Sequence, residues 1–322
     1  MAPDASFARF DRLDSLLKGV SRSFYLSLRV LPASLRPQLS IAYLLARASD
    51  TVADTKVLPR EKRLELLRGM REGRIEPVRG LAGDQGLESE RELLRRLNEP
   101  LALKDSFSPA DRRLIEGVLD TILQGQIFDL ENFPGEDQGA LRALSSDEDL
   151  DHYTYLVAGC VGEFWTRMCA AHLTGFEGKS LEVLCRLGVR FGKGLQLVNV
   201  LRDIPRDLRI GRCYLPVKDP RALLDPAAFE SLRPVYERWL DAAEGHLDAA
   251  WEYVLCLPRS QGRLRLACIW PVWIGRETLA LLRCGNPLDP TRTIRVPQWR
   301  TNLLLAESIL MHRSNTLLRC FP

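Results

Sequence analysis

Apolar residues recur every three or four positions along almost the whole of this chain, and nowhere do β-branched residues alternate with polar ones over the length of a strand. That periodicity restricts the chain to packed helices, so the expected fold class is all-α. Helix starts are marked locally. In SPADRRLIEGVLDTIL, Ser108 stands as an N-cap with Pro109 at the first helical position, and SSDEDLDHYTYLVAGCVGEFW opens on serine and acidic residues; both openings predict long helices. Breaks fall at 69–86, 132–140, 210–226 and 283–297, where glycine, proline and charged residues collect. None of these is long or polar enough to be a linker, so residues 1–322 are expected to form one helical domain. At 46% hydrophobic content, 322 residues can bury a large core.

The charge balance, 45 basic against 42 acidic residues, is too even for a nucleic-acid binder. The eight cysteines are scattered singly, mostly among apolar neighbours, and read as small core residues in a reducing compartment. His152, His172, His246 and His312 show no ligand spacing. The N-terminal stretch MAPDASFARFDRLDS is polar and unlike a secretory signal. The longest uncharged apolar run, Leu266 to Gly275, is about half the roughly 20 residues that a membrane helix needs. A soluble, cytoplasmic protein is expected.

Two acidic motifs stand out against this background. In QLVNVLRDIPRDLRIGR, Asn199, Asp203 and Asp207 are spaced by four, with Arg202, Arg206, Arg209 and Arg212 among them; in ARASDTVADT, Asp50 and Asp54 are spaced by four, with Arg47 one turn before. Residues four apart stack on one helical face, where like charges repel. Ile41, Leu44, Leu45 and Val52 flank the first pair, and Leu195, Val198, Val200 and Leu201 the second, so both helices are expected to be largely buried with their acidic stripes facing an interior cavity. Buried unpaired carboxylates are costly. A hard divalent cation such as Mg2+ relieves the cost, because it takes oxygen ligands from one or two carboxylates and from substrate phosphates. The interleaved guanidinium groups offer planar forks of donors to those phosphates. The competing reading of either motif alone is a solvated charged face.

Four blocks, SRSFYLSLRVLP (21–32), AYLLARASDTVAD (42–54), YTYLVAGCVGEF (153–164) and LQLVNVLRDIPRDLRIGRCYLP (195–216), together resemble the squalene/phytoene synthases, the head-to-head prenyl diphosphate synthases. The resemblance covers most of the chain. It implies an isoprenoid-synthase helical bundle around a central cavity, with Mg2+, or Mn2+ in its place, held between Asp50, Asp54, Asn199, Asp203 and Asp207 and the substrate diphosphates. Arg47, Arg202, Arg22 and Arg212 are then candidates to clamp phosphate oxygens, and Ser21, Ser23, Tyr43 and Gln196 to line the same mouth. Tyr155, with Tyr153 behind it, is the candidate to assist ionisation and proton removal, since Leu156 occupies the place before VAG where some relatives carry a tyrosine. Ala158, Gly159 and Gly162 admit either a prenyl tail or a neighbouring helix. Trp270 and Trp273, around Pro271, are read as core packing rather than as shields for a carbocation.

Two departures from the family pattern bear on the metal site. Ala53 stands where relatives often have another acid, and Pro205 falls between the aspartates of the second motif, where a proline inside a helix kinks the axis and displaces Asp207. The implied activity is condensation of two farnesyl diphosphates through presqualene diphosphate, and Thr51 leans the reading towards the squalene branch, a sterol or hopanoid precursor route. NADPH would complete that reaction, bound outside any Rossmann unit because no GxGxxG follows a strand. The alternatives are an enzyme that stops at presqualene diphosphate, a phytoene or dehydrosqualene synthase, and a non-enzymatic prenyl-binding helical protein. The expected partner is a small prenyl diphosphate. Transient membrane contact for product release and the oligomeric state are left open.

Overall fold

The computed structural model describes residues 13–21, 24–83, 87–289, 291 and 294–320. The chain divides into two units: one comprises the described residues to Leu130 with Arg167–Leu173, the other Glu131–Thr166 and the described residues from Thr174 on.

The first unit carries α1 (Asp14–Ser21), α2 (Phe24–Val30), α3 (Arg36–Asp54), α4 (Arg60–Arg71), α5 (Glu76–Arg79), α6 (Glu88–Arg95), α7 (Asn98–Asp105) and most of α8 (Pro109–Asn132). The apolar stripe of α3, including Leu39, Ile41, Leu44, Leu45, Ala48 and Val52, is buried where α1, α4, α6 and α7 pack against it. Arg63, itself buried, donates to the carbonyl of Ala53 at 2.9 Å and so satisfies one orphan acceptor at the end of α3, where helix polarity favours a cation. α8 begins as its sequence dictates, with Ser108 Oγ accepting from the Asp111 amide at 3.1 Å and proline at its first position.

The second unit contains α9 (Asp147–Thr154), α10 (Cys160–His172, its end excepted), α11 (Leu181–Arg202), α12 (Ile204–Arg209), α13 (Phe229–Cys256), α14 (Gly262–Arg283), α15 (Gln298–Met311) and α16 (Asn315–Arg319). Ser146 and Asp149 cap α9 reciprocally. The helix that the sequence predicts to run on through VAGCVGEFW is interrupted: Tyr155–Gly159 form one π-helical turn between α9 and α10. α11 packs along α13 and against this turn, and α14 joins α13 and α15. Trp273 stacks near Trp251 with ring centroids 5.9 Å apart, and the Trp270 indole donates to Ser308 Oγ at 2.8 Å, so both tryptophans serve packing.

Among the described residues, extended structure is limited to β1 (Arg142–Ala143) paired in parallel with β2 (Arg212–Cys213). Gly211 enters β2 at φ 83, and a Cβ there would lie 2.8 Å from the Asp137 carbonyl oxygen, so the turn requires glycine. All eight cysteines are free thiols. Cys160, Cys169, Cys185, Cys213 and Cys268 are buried, whereas Cys284 and Cys320 are exposed rather than core residues.

Candidate active site

The first acidic motif occupies the last two turns of α3, where Asp50 and Asp54 fall on one face. Asp54 is exposed at the helix end. Asp50 is reachable by solvent, with 44% of its side chain exposed, yet it is crowded on its other sides. Burial, and then repulsion from Asp54, push its carboxyl pKa up to about 6, against the opposing pull of Arg47 and Gln126. Arg47 lies 3.7 Å from Asp50 through one nitrogen, while its other terminal nitrogen donates to Glu90 Oε1 at 2.6 Å.

Gln126, on α8, donates from one amide nitrogen to both Ser49 Oγ (2.9 Å) and Asp50 Oδ1 (2.6 Å). Its carbonyl oxygen Oε1 is buried with no hydrogen-bond partner. An acceptor left open beside a carboxylate that resists ionisation suits a cation or a cation-bound water, since either supplies the missing positive partner. Gln126, Ser49 and Glu90 went unread in the sequence. The only signal was a polar pair three apart, Gln126 and Asp129, among the apolar buried positions Ile122, Leu123, Ile127 and Leu130 of α8.

Of the other candidates in this unit, Ser21 is turned inward, its hydroxyl bonded to the Leu17 carbonyl within α1, and so does not present a polar lining. Tyr43 is half-buried and its hydroxyl donates to the Val20 carbonyl at 3.4 Å. Arg22 and Ser23 lie outside the described residues.

The second motif straddles the α11–α12 junction. Gln196 is half-buried and Asn199 exposed, the amide of Asn199 pointing to Gln196 Oε1 at 3.5 Å. The expected kink is a full stop and restart. Asp203 leaves the helical path at φ −93, ψ 7 and serves both as the end cap of α11 and as the start of α12. Pro205 is thereby in the first turn of a new helix rather than inside an old one, where its missing N–H costs nothing. The Asp207 amide still reaches the Asp203 carbonyl at 2.9 Å, so the one-turn relation between the two aspartates survives. Arg202 grips Asp203 as a fork, with nitrogens 2.6 and 2.7 Å from the two carboxylate oxygens. Arg212, half-buried, is held in β2 rather than in a solvent loop.

Tyr155 opens the π-helical turn. It is half-buried, and burial followed by the charge of Glu163 raises its phenol pKa, which keeps the hydroxyl protonated as a donor. Tyr153 is instead locked in an aromatic cluster: its ring stacks on Tyr214 at 4.7 Å and the two hydroxyls meet at 3.3 Å. The small residues of this block are explained by helix packing. A Cβ on Gly162 would lie 1.8 Å from the Gly188 carbonyl oxygen, and one on Gly192 would lie 2.0 Å from that of Ala158, so backbone meets backbone between this segment and α11. That close approach fixes Tyr155 in register with the helix that carries Gln196 and Asn199.

Two carboxylates per motif with an amide beside each pair offer oxygen donors, the kind that hard cations such as Mg2+ prefer. Among the described residues no three His, Cys, Asp or Glu side chains converge as a complete metal site, so each motif would need further oxygens from a ligand.

Residues 17–300 match the model of the squalene/phytoene synthase family. The chain is 30% identical over 212 residues to the bifunctional lycopene cyclase/phytoene synthase of Phycomyces blakesleeanus (62% of this chain, 32% of that protein). It is 27% identical over 201 residues to the squalene synthase of Saccharomyces cerevisiae (62% and 44%) and 28% over 239 residues to the phytoene synthase of Rhodobacter capsulatus (71% and 60%). In each case the match spans less than two thirds of the relative's length. In fold it resembles TcSQS in complex with the ligand BPH1237 (TM-score 0.77, 22% identity, 95% of this chain and 88% of that one). It also resembles the squalene synthase HpnC of Alicyclobacillus acidocaldarius (TM-score 0.61, 20% identity, 88% and 96%), so the architecture is the all-α isoprenoid-synthase type. With a family model matched along most of its length and both acidic motifs in place, the chain belongs to the squalene/phytoene synthase family.

Proposed function

We propose that this protein is a prenyltransferase of the squalene branch, condensing two farnesyl diphosphates head to head to presqualene diphosphate and then reducing that intermediate to squalene. The observation that best supports the diphosphate chemistry of this reading is the setting of Asp50, one turn from Asp54 and bonded by Gln126. This carboxylate is pushed up to about 6 and stands beside the open acceptor of Gln126, an arrangement that favours a divalent cation carrying phosphate oxygens. Mg2+, when bound, neutralises the charge that develops on the departing diphosphate.

The chain's own residues do the rest. Asp50 and Asp54 on one helix, and Asp203 and Asp207 with Asn199 on the other motif, hold cations. Arg47 and Arg202, each already seated against a carboxylate, turn guanidinium donors to phosphate oxygens. Tyr155, held neutral, donates a hydrogen bond to the leaving group, and Gln196, Tyr43 and Arg212 complete the polar lining. In the first half-reaction one allylic C–O bond breaks, the second substrate's double bond closes a cyclopropane on the resulting carbon, and a proton and diphosphate leave. In the second half-reaction the remaining diphosphate departs, and the rearranged cation would be reduced by hydride, the chemistry that NADPH would supply if bound. Water must be kept out for that capture.

The test incubates purified protein and Mg2+ with farnesyl diphosphate or, in parallel, geranylgeranyl diphosphate, each with and without NADPH, and identifies the lipids by mass spectrometry. Squalene formed only with NADPH is the expected result. Presqualene diphosphate accumulating in both tubes limits the enzyme to the first step, and turnover of geranylgeranyl diphosphate without squalene moves it to the phytoene branch.

A further inference from the structure

Most helices of the second unit bury one face and expose a polar one, but α15 is apolar on both sides. Its inner side is firmly seated. Leu304 and Ser308 are buried, Trp270 donates to Ser308, and Arg300 is paired with Glu277 on α14 at 2.9 Å. The end of α15 is clamped by the wholly buried Arg265, which donates to the carbonyls of His312 and Leu257 and to Asn315 Oδ1. The outer side therefore has a fixed orientation.

On that side Trp299, Leu303, Ala306 and Leu310 follow one another at steps of four, three and four, which is one continuous stripe along the helix, with Ile309 beside it. Trp299, Leu303, Ile309 and Leu310 are 67%, 42%, 58% and 81% exposed. The exposed apolar residues Val57, Leu87 and Leu224, by contrast, stand singly, as on any soluble surface.

The charges around the stripe identify what covers it. From Arg295 to Arg319 the exposed positions carry three arginines, Arg295, Arg313 and Arg319; the one carboxylate of this stretch, Glu307, is half-buried, and its charge is offset by Arg300. Exposed Arg263 adds to this rim, because its neighbour Gly262 abuts His312 and Arg313. A second copy of the same face would have to bring arginine against arginine, since a two-fold contact pairs a patch with itself. An anionic lipid surface has the complementary charge, takes an indole at the headgroup level, and accepts leucine and isoleucine at the acyl boundary.

We propose that the outer face of α15, with its arginine rim, docks this protein on an anionic lipid bilayer. No helix among the described residues is long and apolar enough to cross a membrane, so the contact is interfacial. Its purpose rests on the function proposed above: squalene has no polar group, and an enzyme seated on the bilayer can release it directly into the acyl phase. The docking itself does not depend on that reading.

The experiment uses the full chain with vesicles of phosphatidylcholine alone or with about one third phosphatidylglycerol, read by co-sedimentation and by quenching from brominated acyl chains. Trp299 is the one exposed indole of the six, so quenching reports this face. Binding to the anionic vesicles that weakens with salt is expected, with a loss of at least about tenfold in Trp299→Ser/Leu303→Ser/Leu310→Ser. Arg263→Gln/Arg313→Gln should lose roughly 25-fold, at about fivefold per arginine. Turnover of farnesyl diphosphate in detergent solution is expected to be unchanged in both variants. Absence of vesicle binding, binding that survives both sets of substitutions, or a stripe variant that only converts a dimer to a monomer would overturn the proposal. Docking that persists in a protein with no farnesyl diphosphate turnover would leave it standing and reject the functional reading alone.

Discussion

Asp50 bears two costs that a free carboxylate does not, crowding by protein and the charge of Asp54 one turn away, and only Gln126 and Arg47 offset them. Because its folded pKa is raised, to about 6, the folded state holds this proton more tightly than the unfolded chain does. Without divalent cations, stability should therefore fall as pH rises from about 4 to about 6. Linkage sets an upper limit of about 3 kcal/mol, which screening at a side chain 44% exposed reduces to roughly 1 kcal/mol. Denaturant midpoints in chelator across this range should show the slope, and Asp50→Asn should flatten it. Added Mg2+ should stabilise far more above pH 6 than below, because the cation requires the ionised carboxylate. Asp50→Ala and Asp203→Ala are expected to cut turnover by several orders of magnitude with the helical fold retained, each removing several kcal/mol of charge stabilisation at about tenfold per 1.36 kcal/mol. Gln126→Leu should keep both aspartates yet weaken Mn2+ binding by about 10- to 100-fold in a calorimetric titration, the usual effect of losing an orienting partner. Unchanged Mn2+ affinity would remove Gln126 from the site.

At the level of elements, the positioning of Tyr155 depends on backbone-to-backbone packing. Gly162→Ala would drive a methyl into the Gly188 carbonyl, and since backbone cannot yield as a side chain does, about 1–3 kcal/mol of stability should be lost in urea unfolding. Gly117→Ala, at an exposed position of α8 with nothing within 4 Å, should instead gain up to about 1 kcal/mol, which separates the packing effect from helix propensity. The α11–α12 junction offers the complementary case. Pro205 breaks no bond where it stands, so Pro205→Ala should change stability by less than about 1 kcal/mol. By allowing α11 to run on through Asp203, however, it should lower turnover by moving Asp207; an unchanged rate would show that the break has no catalytic role.

For the whole molecule, the proposed function requires that both motifs contribute to holding one class of ligand. A non-reactive farnesyl diphosphate analogue with Mg2+ should stabilise the fold by about 2.7 kcal/mol at a hundredfold excess over its Kd and so raise the melting temperature. The gain should nearly vanish in Asp50→Ala and in Asp203→Ala alike. If either variant kept it, the motif concerned would not belong to the diphosphate site.

The sequence by itself determined what depends on neighbours in the chain. The helical period, the caps at Ser108 and Ser146, the one-turn spacing of Asp50 with Asp54 and of Asn199 with Asp203, and a disturbance of the helix near Pro205, though not its full stop at Asp203, are set within a few residues by backbone geometry and hydrogen bonding. The family was legible for the same reason, because its motifs are short and contiguous. Tertiary structure decided what depends on residues distant in the chain. Gln126 reaches Asp50 from 76 positions away, and Arg47 finds Glu90 across 43; no periodicity encodes those distances. It also turned Ser21 inward, wound Tyr155–Gly159 into a π turn against α11, and left one apolar face of α15 outside. An apolar stripe read along the chain says only that something will cover it, whereas packing determines whether that is the protein's own core.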